Sequence, residues 1–270
     1  MLSDLGLHEL AVGTATPEDA AASTKESDLA YALLSACIVY EGVWTLYLGR
    51  PSSISKSIMS IAASRCQARR RSDSPLLNAW LGLCVPMAEI SHILNDSQLL
   101  PDSEAASDLR QLIPQVQDWY DNLGPELTYN DSRLTDLDMA GYGLHTQYCK
   151  VQILLRQALE RSAGNRRKRR FSQLSGDAVP EQNLEDSKEA IYQYALRIAR
   201  LVVTYRLVFG VEKIPSIMLD NAIVAATALI QHLNQRQKAQ AVRQPDLVWI
   251  RSLVRVWRPC NSISQSPNGC

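Results

Sequence analysis

The sequence predicts an all-α protein built as an irregular bundle of several helices. Apolar residues recur at spacings of three and four over most of its 270 residues, which is the period of a helix with one buried face. Hydrophobic residues make up 46% of the chain but aromatics only 6%. Such a mix of Leu, Ile, Val and Ala suits packed helices better than strands. Only 12 Gly and 12 Pro punctuate the chain, leaving room for long elements, and no alternating stretch is long enough to make a useful strand.

Residues 1–22 read as a loosely packed leader. Ser23-Thr24-Lys25-Glu26 fits a capping box at the start of a helix. Leu29, Leu33, Cys37, Tyr40, Trp44 and Tyr47 follow at spacings of four and three, predicting one core-facing stripe. The helix runs into Leu48-Gly49-Arg50-Pro51 and stops. Gly49 can take the left-handed conformation that ends a helix. Pro51 cannot continue the helix and pushes Arg50 toward an extended conformation. Ser52 and Ser53 are suited to bonding freed backbone groups in a turn.

After a polar, basic stretch over 55–73, a second helix is expected from Ser74-Pro75, with Pro75 at its first position. Leu76, Trp80, Leu83, Met87, Ile90 and Leu94 form its stripe, and Pro86 should kink it. Leu109, Leu112, Val116, Trp119 and Leu123 mark a third helix ending at Gly124-Pro125. Leu137, Gly141, Leu144, Tyr148, Val151, Leu155 and Ala158 mark a fourth. A charged loop is expected from about 161 to 186. Ile191, Tyr194, Ile198, Leu201, Tyr205 and Val208 mark the fifth helix, with Gly210 as its stop. The sixth, Ser216 to Asn234, carries Ala222-Ile223-Val224-Ala225-Ala226, apolar nearly all round, as in a central buried helix. Asp246 can cap a last helix carrying Val248, Trp249, Leu253 and Trp257. Residues 1–258 are read as one domain and 259–270 as a disordered tail.

The formal net charge is zero, but it is unevenly spread. Residues 161–170 hold six basic side chains and no acid. Taking six from 28 leaves 22 Lys+Arg against 28 Asp+Glu elsewhere, a net of −6. Such a surface does not attract phosphate backbones in general. Five cations in a row, Arg166, Arg167, Lys168, Arg169 and Arg170, repel one another, so the run is expected to stay solvated and extended. In that form it fits the acidic groove of a nuclear import receptor; the plainer alternative is a charged loop with no role. Ser172, two residues beyond, stands where a basophilic kinase prefers its target, and a phosphate there would blunt the cationic run.

The six cysteines, Cys37, Cys66, Cys84, Cys149, Cys260 and Cys270, include no C-x-x-C pair. Cys37, Cys84 and Cys149 fall in helical apolar patterns and read as buried thiols. A reducing compartment is the better expectation, and no apolar run reaches the ~18 residues needed to cross a membrane. Support for catalysis is thin. No H-E-x-x-H, phosphate loop or G-x-S-x-G elbow occurs, and Asp136-Leu137-Asp138 is too poor for a magnesium site. His145 and Cys149 lie one turn apart and could share a metal, but two ligands on one helix do not make a site. Arg50 could clamp a ligand; the structural reading, in which it bonds carbonyls at a helix end, is favoured. Tyr40, Trp44 and Tyr47 read as core rather than as a small-molecule box.

Four segments, in order, resemble the regulatory middle homology region of fungal zinc-cluster transcription factors. The corner Leu46-Tyr47-Leu48-Gly49-Arg50-Pro51, with Glu41 and Trp44 before it, is similar to that family's LxLGRPxxI. Asp4-Leu5-Gly6-Leu7-His8 resembles a short upstream element, and Trp119 to Leu127 resembles its "W…LP..L" element. Leu144-His145-Thr146-Gln147-Tyr148 through Ile153-Leu154-Leu155-Arg156 resembles its "LHxQYxxxxILLxRP" helix, but the chain continues Gln157-Ala158 where the family has proline. The similarity covers most of residues 1–258.

The resemblance implies a non-enzymatic regulator of RNA polymerase II transcription in the nucleus, answering a metabolite or a partner. Its partners would be an import receptor and the transcriptional machinery or a co-regulator, with a homodimer among the family's habits and no membrane. The family binds DNA through an N-terminal zinc cluster of six thiolates. That pattern is absent here, so no cofactor is expected in this chain, and DNA would be reached only through a domain that the chain lacks. The alternatives are an all-α protein–protein scaffold and, behind it, an all-α enzyme.

Overall fold

A computed structural model describes residues 23–55, 57–59, 61, 75–96, 102–171, 181–238 and 244–256. Among these residues the structure is all-α, with helices packed on one another and no strand. The chain forms two compact units, Met1–Thr128 with Ser162–Arg166, and Tyr129–Arg161 with Arg167–Cys270.

The first unit contains α1 (Ser23–Leu48), α2 (Pro75–Asp96) and α3 (Asp102–Asp121). α2 packs against both α1 and α3. It begins at Pro75 as expected and runs on as one helix through the buried Pro86. Two glycines set the close approaches. A side chain at Gly42 of α1 would come within 3.2 Å of the Cys84 sulfur on α2. At Gly82 it would meet the Trp119 indole of α3 at 2.6 Å. That indole donates its N–H to the Ala79 carbonyl at 3.1 Å, pinning α3 to α2. Leu34, Ile38, Ile54, Met59, Leu81, Cys84 and Ala88 form one apolar core.

The face of α1 differs from the expected one. Leu34, Ile38 and Leu46 are buried, whereas Leu29, Leu33, Tyr40 and Tyr47 are exposed, Tyr40 by 64%. Apolar residues surround most of this helix, so periodicity alone offered two faces, and the smaller aliphatic one packs.

The second unit contains α4 (Met139–Phe171), α5 (Glu181–Phe209), α6 (Ser216–Lys238) and α7 (Gln244–Val256). α5, α6 and α7 pack on one another. Asp138 caps α4 by accepting the Gly141 N–H at 2.6 Å, and Asp136 pairs with Arg133 at 2.8 Å. Both carboxylates of the Asp-Leu-Asp string therefore have local structural partners. Gly210 ends α5 at φ 84°, with its N–H on the Arg206 carbonyl.

Several expectations are corrected here. The loop expected over 161–186 is helix up to Phe171 and again from Glu181. The cations at 166–170 therefore lie on a helical backbone rather than an extended one. Arg and Lys are good helix formers, and the buried helical segment before them supplies the nucleus that a helix needs. α6 is not buried all round: Ile223 and Ile230 are exposed while Ala222, Ala225 and Leu229 are buried. Val208 of α5 and Val248 of α7 are exposed too. α7 starts at Gln244, so Asp246 lies inside its first turn. By length and composition Pro75–Asn95 and Ser216–Arg236 would suffice to cross a membrane, although 56% of the first window is buried, as in a core helix of a globular unit. The leader, Ser172, Trp257 and the tail lie outside the described residues.

Candidate functional site

In the first unit the family-like corner is a helix stop with three cooperating parts. Gly49 sits at φ 60° with open space where a side chain would go. The Arg50 N–H then returns five residues to the Thr45 carbonyl at 3.1 Å, the long bond of a Schellman motif. Past Pro51 the Ser52 hydroxyl accepts the Ile54 N–H at 3.2 Å. Glu41, two turns back on α1, accepts both the Ser53 N–H at 2.8 Å and its hydroxyl at 2.7 Å. The result delivers Ile54 and Met59 into the apolar core beside Leu34 and Ile38.

Arg50 contributes differently from the expectation. Its backbone amide caps the helix, and its side chain is exposed, as are Leu48 and Pro51. The cause is geometric. The positive φ of Gly49 turns the Arg50 N–H itself onto the freed carbonyl, so no guanidinium is needed there.

In the second unit the segment resembling the family helix is buried without a break from Gly141 to Ile153. That burial takes in polar side chains: His145, Thr146, Gln147, Lys150 and Gln152. Lys150 pairs with Asp220 of α6, the two side chains being 2% and 16% exposed. One turn earlier, Thr146 donates to the carbonyls of Tyr142 and Gly143 at 2.9 and 3.0 Å, and it accepts the Asn221 amide at 3.1 Å. Thr146 and Lys150 thus grip the adjacent residues Asp220 and Asn221, fixing where α6 lies along α4.

The neighbouring face of α4 meets α5. Tyr148 and Tyr194 stand edge to face at 5.8 Å. The Arg156 guanidinium lies over Tyr194 at 5.1 Å and bonds the Gln152 side chain. Arg197 lies over Tyr129 at 4.5 Å, and Tyr129 packs edge to face on His145 at 5.6 Å. At the start of α4, Tyr142 meets Tyr205 and Phe209 edge to face at 5.3 and 5.9 Å. Its hydroxyl bonds the Leu134 carbonyl, and that of Tyr205 bonds the Lys213 carbonyl at 2.6 Å.

Burial dominates the electrostatics of this region. It pushes the Cys149 thiol up to about 12 against the opposing charge and hydrogen bond of Arg197. A thiol held protonated is a poor nucleophile and a poor metal ligand. Burial also raises the Tyr129 hydroxyl, helped by its bond to Asp131, and raises Glu160 against the pull of Lys188. His145 and Cys149 are both buried, and among the described residues no three His, Cys, Asp or Glu side chains gather as a metal site would need. The charge and hydrogen-bond contacts of this cluster define one packing of α4 with its neighbours.

Sequence periodicity did not point to Lys150, Asp220 or Asn221. A signal was present in Asp220-Asn221, two polar residues one turn inside a helix and directly before its apolar run Ala222–Ala226, and in Thr146 and Lys150 at the helical spacing that could meet them. Compared with known proteins, the chain matches no protein-family model, no curated protein and no solved structure.

Proposed function

We propose that this chain is a regulatory region of the fungal zinc-cluster transcription-factor type, acting in the nucleus on RNA polymerase II transcription and answering a metabolite or a partner. The observation that carries the reading is the order of four family-like segments along one chain. Two of them coincide with specialised local structure, which lends support. The corner uses its glycine at φ 60°, and its preceding acid, Glu41, ties down Ser53. The LHxQY-like helix carries the buried polar grip of Thr146 and Lys150. In this reading the chain has no catalytic task, and DNA contact belongs to a separate zinc-cluster domain.

A second reading, a protein–protein scaffold, is favoured by the exposed apolar face of α1. Tethering the chain to a reporter promoter through an unrelated DNA-binding domain separates the two. A regulatory region changes reporter RNA several-fold relative to the DNA-binding domain alone. Unchanged RNA from a well-expressed fusion overturns the transcriptional reading. Replacing Arg166, Arg167, Lys168, Arg169 and Arg170 by Ala in a fusion too large to diffuse should shift it toward the cytoplasm. Undiminished nuclear accumulation removes the import role.

A further inference from the structure

Ser53 is exposed, and so is Arg50 three residues before it. An arginine at that distance is what arginine-directed serine kinases read, because its guanidinium pairs with carboxylates beside their active site. Among the described residues no other serine or threonine has an arginine at this spacing. The helix stop does not use the Arg50 side chain, since the backbone amide completes it. Residues 50–55 form no helix, so the segment is close to the open conformation in which a kinase takes its substrate.

The same serine is the latch of the corner. Its hydroxyl donates to Glu41 Oε1 at 2.7 Å, and its N–H donates to the same oxygen at 2.8 Å. The next residue, Ile54, is 6% exposed and sits with Met59 in the apolar core beside Leu34 and Ile38.

We propose that Ser53 is a phosphorylation site for an arginine-directed serine kinase, and that its phosphate unlatches the corner from Glu41. In the transfer Ser53 Oγ bonds to the γ-phosphorus of ATP, while the bond from that phosphorus to the β,γ-bridging oxygen breaks. ADP leaves, and the hydroxyl proton passes to the kinase's catalytic aspartate. Oγ then has no proton to donate. A charge of roughly −2 stands where a hydroxyl had faced a carboxylate. Repulsion from Glu41 and attraction to Arg50 act in the same sense, and both turn the Ser53 side chain away from Glu41. Ile54 follows directly in the chain, so losing the latch loosens its seat in the core. The kinase itself must draw Ile54 out to hold the residues on either side of Ser53, and the new charge then opposes its return. The proposal rests on the geometry of the corner and not on the transcriptional reading.

The test uses the full chain with Ser72→Ala, Ser74→Ala and Ser172→Ala, because each of these serines also follows an arginine by three. It is incubated with magnesium ATP and an arginine-directed kinase. Peptide mass spectrometry should place a phosphate on Ser53, and Arg50→Ala should slow its arrival by about tenfold or more. No phosphate on Ser53, with the kinase fully active on a control peptide of its preferred sequence, overturns the site. So does an unchanged rate in Arg50→Ala.

Hydrogen exchange then reads the latch. Amides 52–59 should exchange about fivefold faster or more in the phosphorylated chain than in the unmodified one. Glu41→Gln keeps an acceptor for Ser53 but removes the charge, so phosphorylation of that variant should raise exchange much less. Phosphate on Ser53 with unchanged exchange over 52–59 overturns the unlatching, as does an equal rise in Glu41→Gln. Should Glu41→Gln fail to fold, the comparison of phosphorylated with unmodified chain decides by itself.

Discussion

Lys150 and Asp220, 70 residues apart in sequence, form an ion pair in which the lysine is almost wholly withdrawn from solvent. Such a pair contributes little net stability against an apolar replacement, but removing one partner strands the other.

Lys150→Ala should therefore cost about 3 kcal/mol, the low end for a broken buried pair because Asp220 keeps some exposure. Lys150→Met combined with Asp220→Leu should recover most of that loss. Urea melts of the three variants check this. A double variant no more stable than Lys150→Ala would show that the charges themselves, and not their mutual compensation, hold α4 and α6.

The corner makes a sharper distinction between backbone and side chain. Gly49→Ala should cost about 1 kcal/mol from the left-handed backbone alone, since a Cβ there meets nothing within 4 Å. Gly49→Asn should recover part of it. Arg50→Ala should stay within about 0.5 kcal/mol of the parent in dilute solution, because the amide and not the guanidinium caps the helix. Thermal melts of all three suffice, and a large loss from Arg50→Ala would return the capping role to its side chain.

At the contact of α2 with α3, Gly82→Ala should destabilise by about 1–3 kcal/mol through overpacking against Trp119. Trp119→Phe should cost about 1–2 kcal/mol, losing the bond to Ala79 and part of its contact area. The two should not add, since the smaller ring makes room for the new methyl. A double-variant cycle that sums to zero coupling would place the clash elsewhere.

Alkaline pH should expose the buried thiols. In the folded chain burial holds Cys84 and Cys149 protonated to about 12, against 9.0 ordinarily. The unfolded chain releases those protons first. The stability gained by burying neutral thiols is thus complete below pH 9 and is lost as pH rises toward 12. Buried Tyr142 and Tyr205, also raised, act in the same direction from higher pH. Denaturant melts across this window should show a steeper fall for the parent than for a variant with both cysteines changed to Ala. Equal slopes would assign the fall to the tyrosines.

The features legible in the sequence were those governed by neighbours in the chain. Pro75 starts α2, Gly49 and Gly210 end α1 and α5 at positive φ, and Ser52 serves the turn after the corner. Each depends on a few local dihedrals. Which side of α1 packs depends on α2, and its abundant apolar residues on both sides left the choice to tertiary contact. Likewise nothing near Lys150 in the chain points to its partner Asp220, 70 residues away. Mutual repulsion alone predicts an extended cationic run. The helix already running through Arg156 outweighed that repulsion.

The helical course of α4 through residue 171 sets a conformational toll on whatever reads the basic segment. A receptor groove that takes its peptide as an extended strand must first unwind at least the final turn. Its apparent affinity is then scaled by the fraction of molecules already frayed there. Access to the cations becomes a property of helix melting rather than of charge, and any condition that frays the end of α4 makes the same five side chains easier to bind.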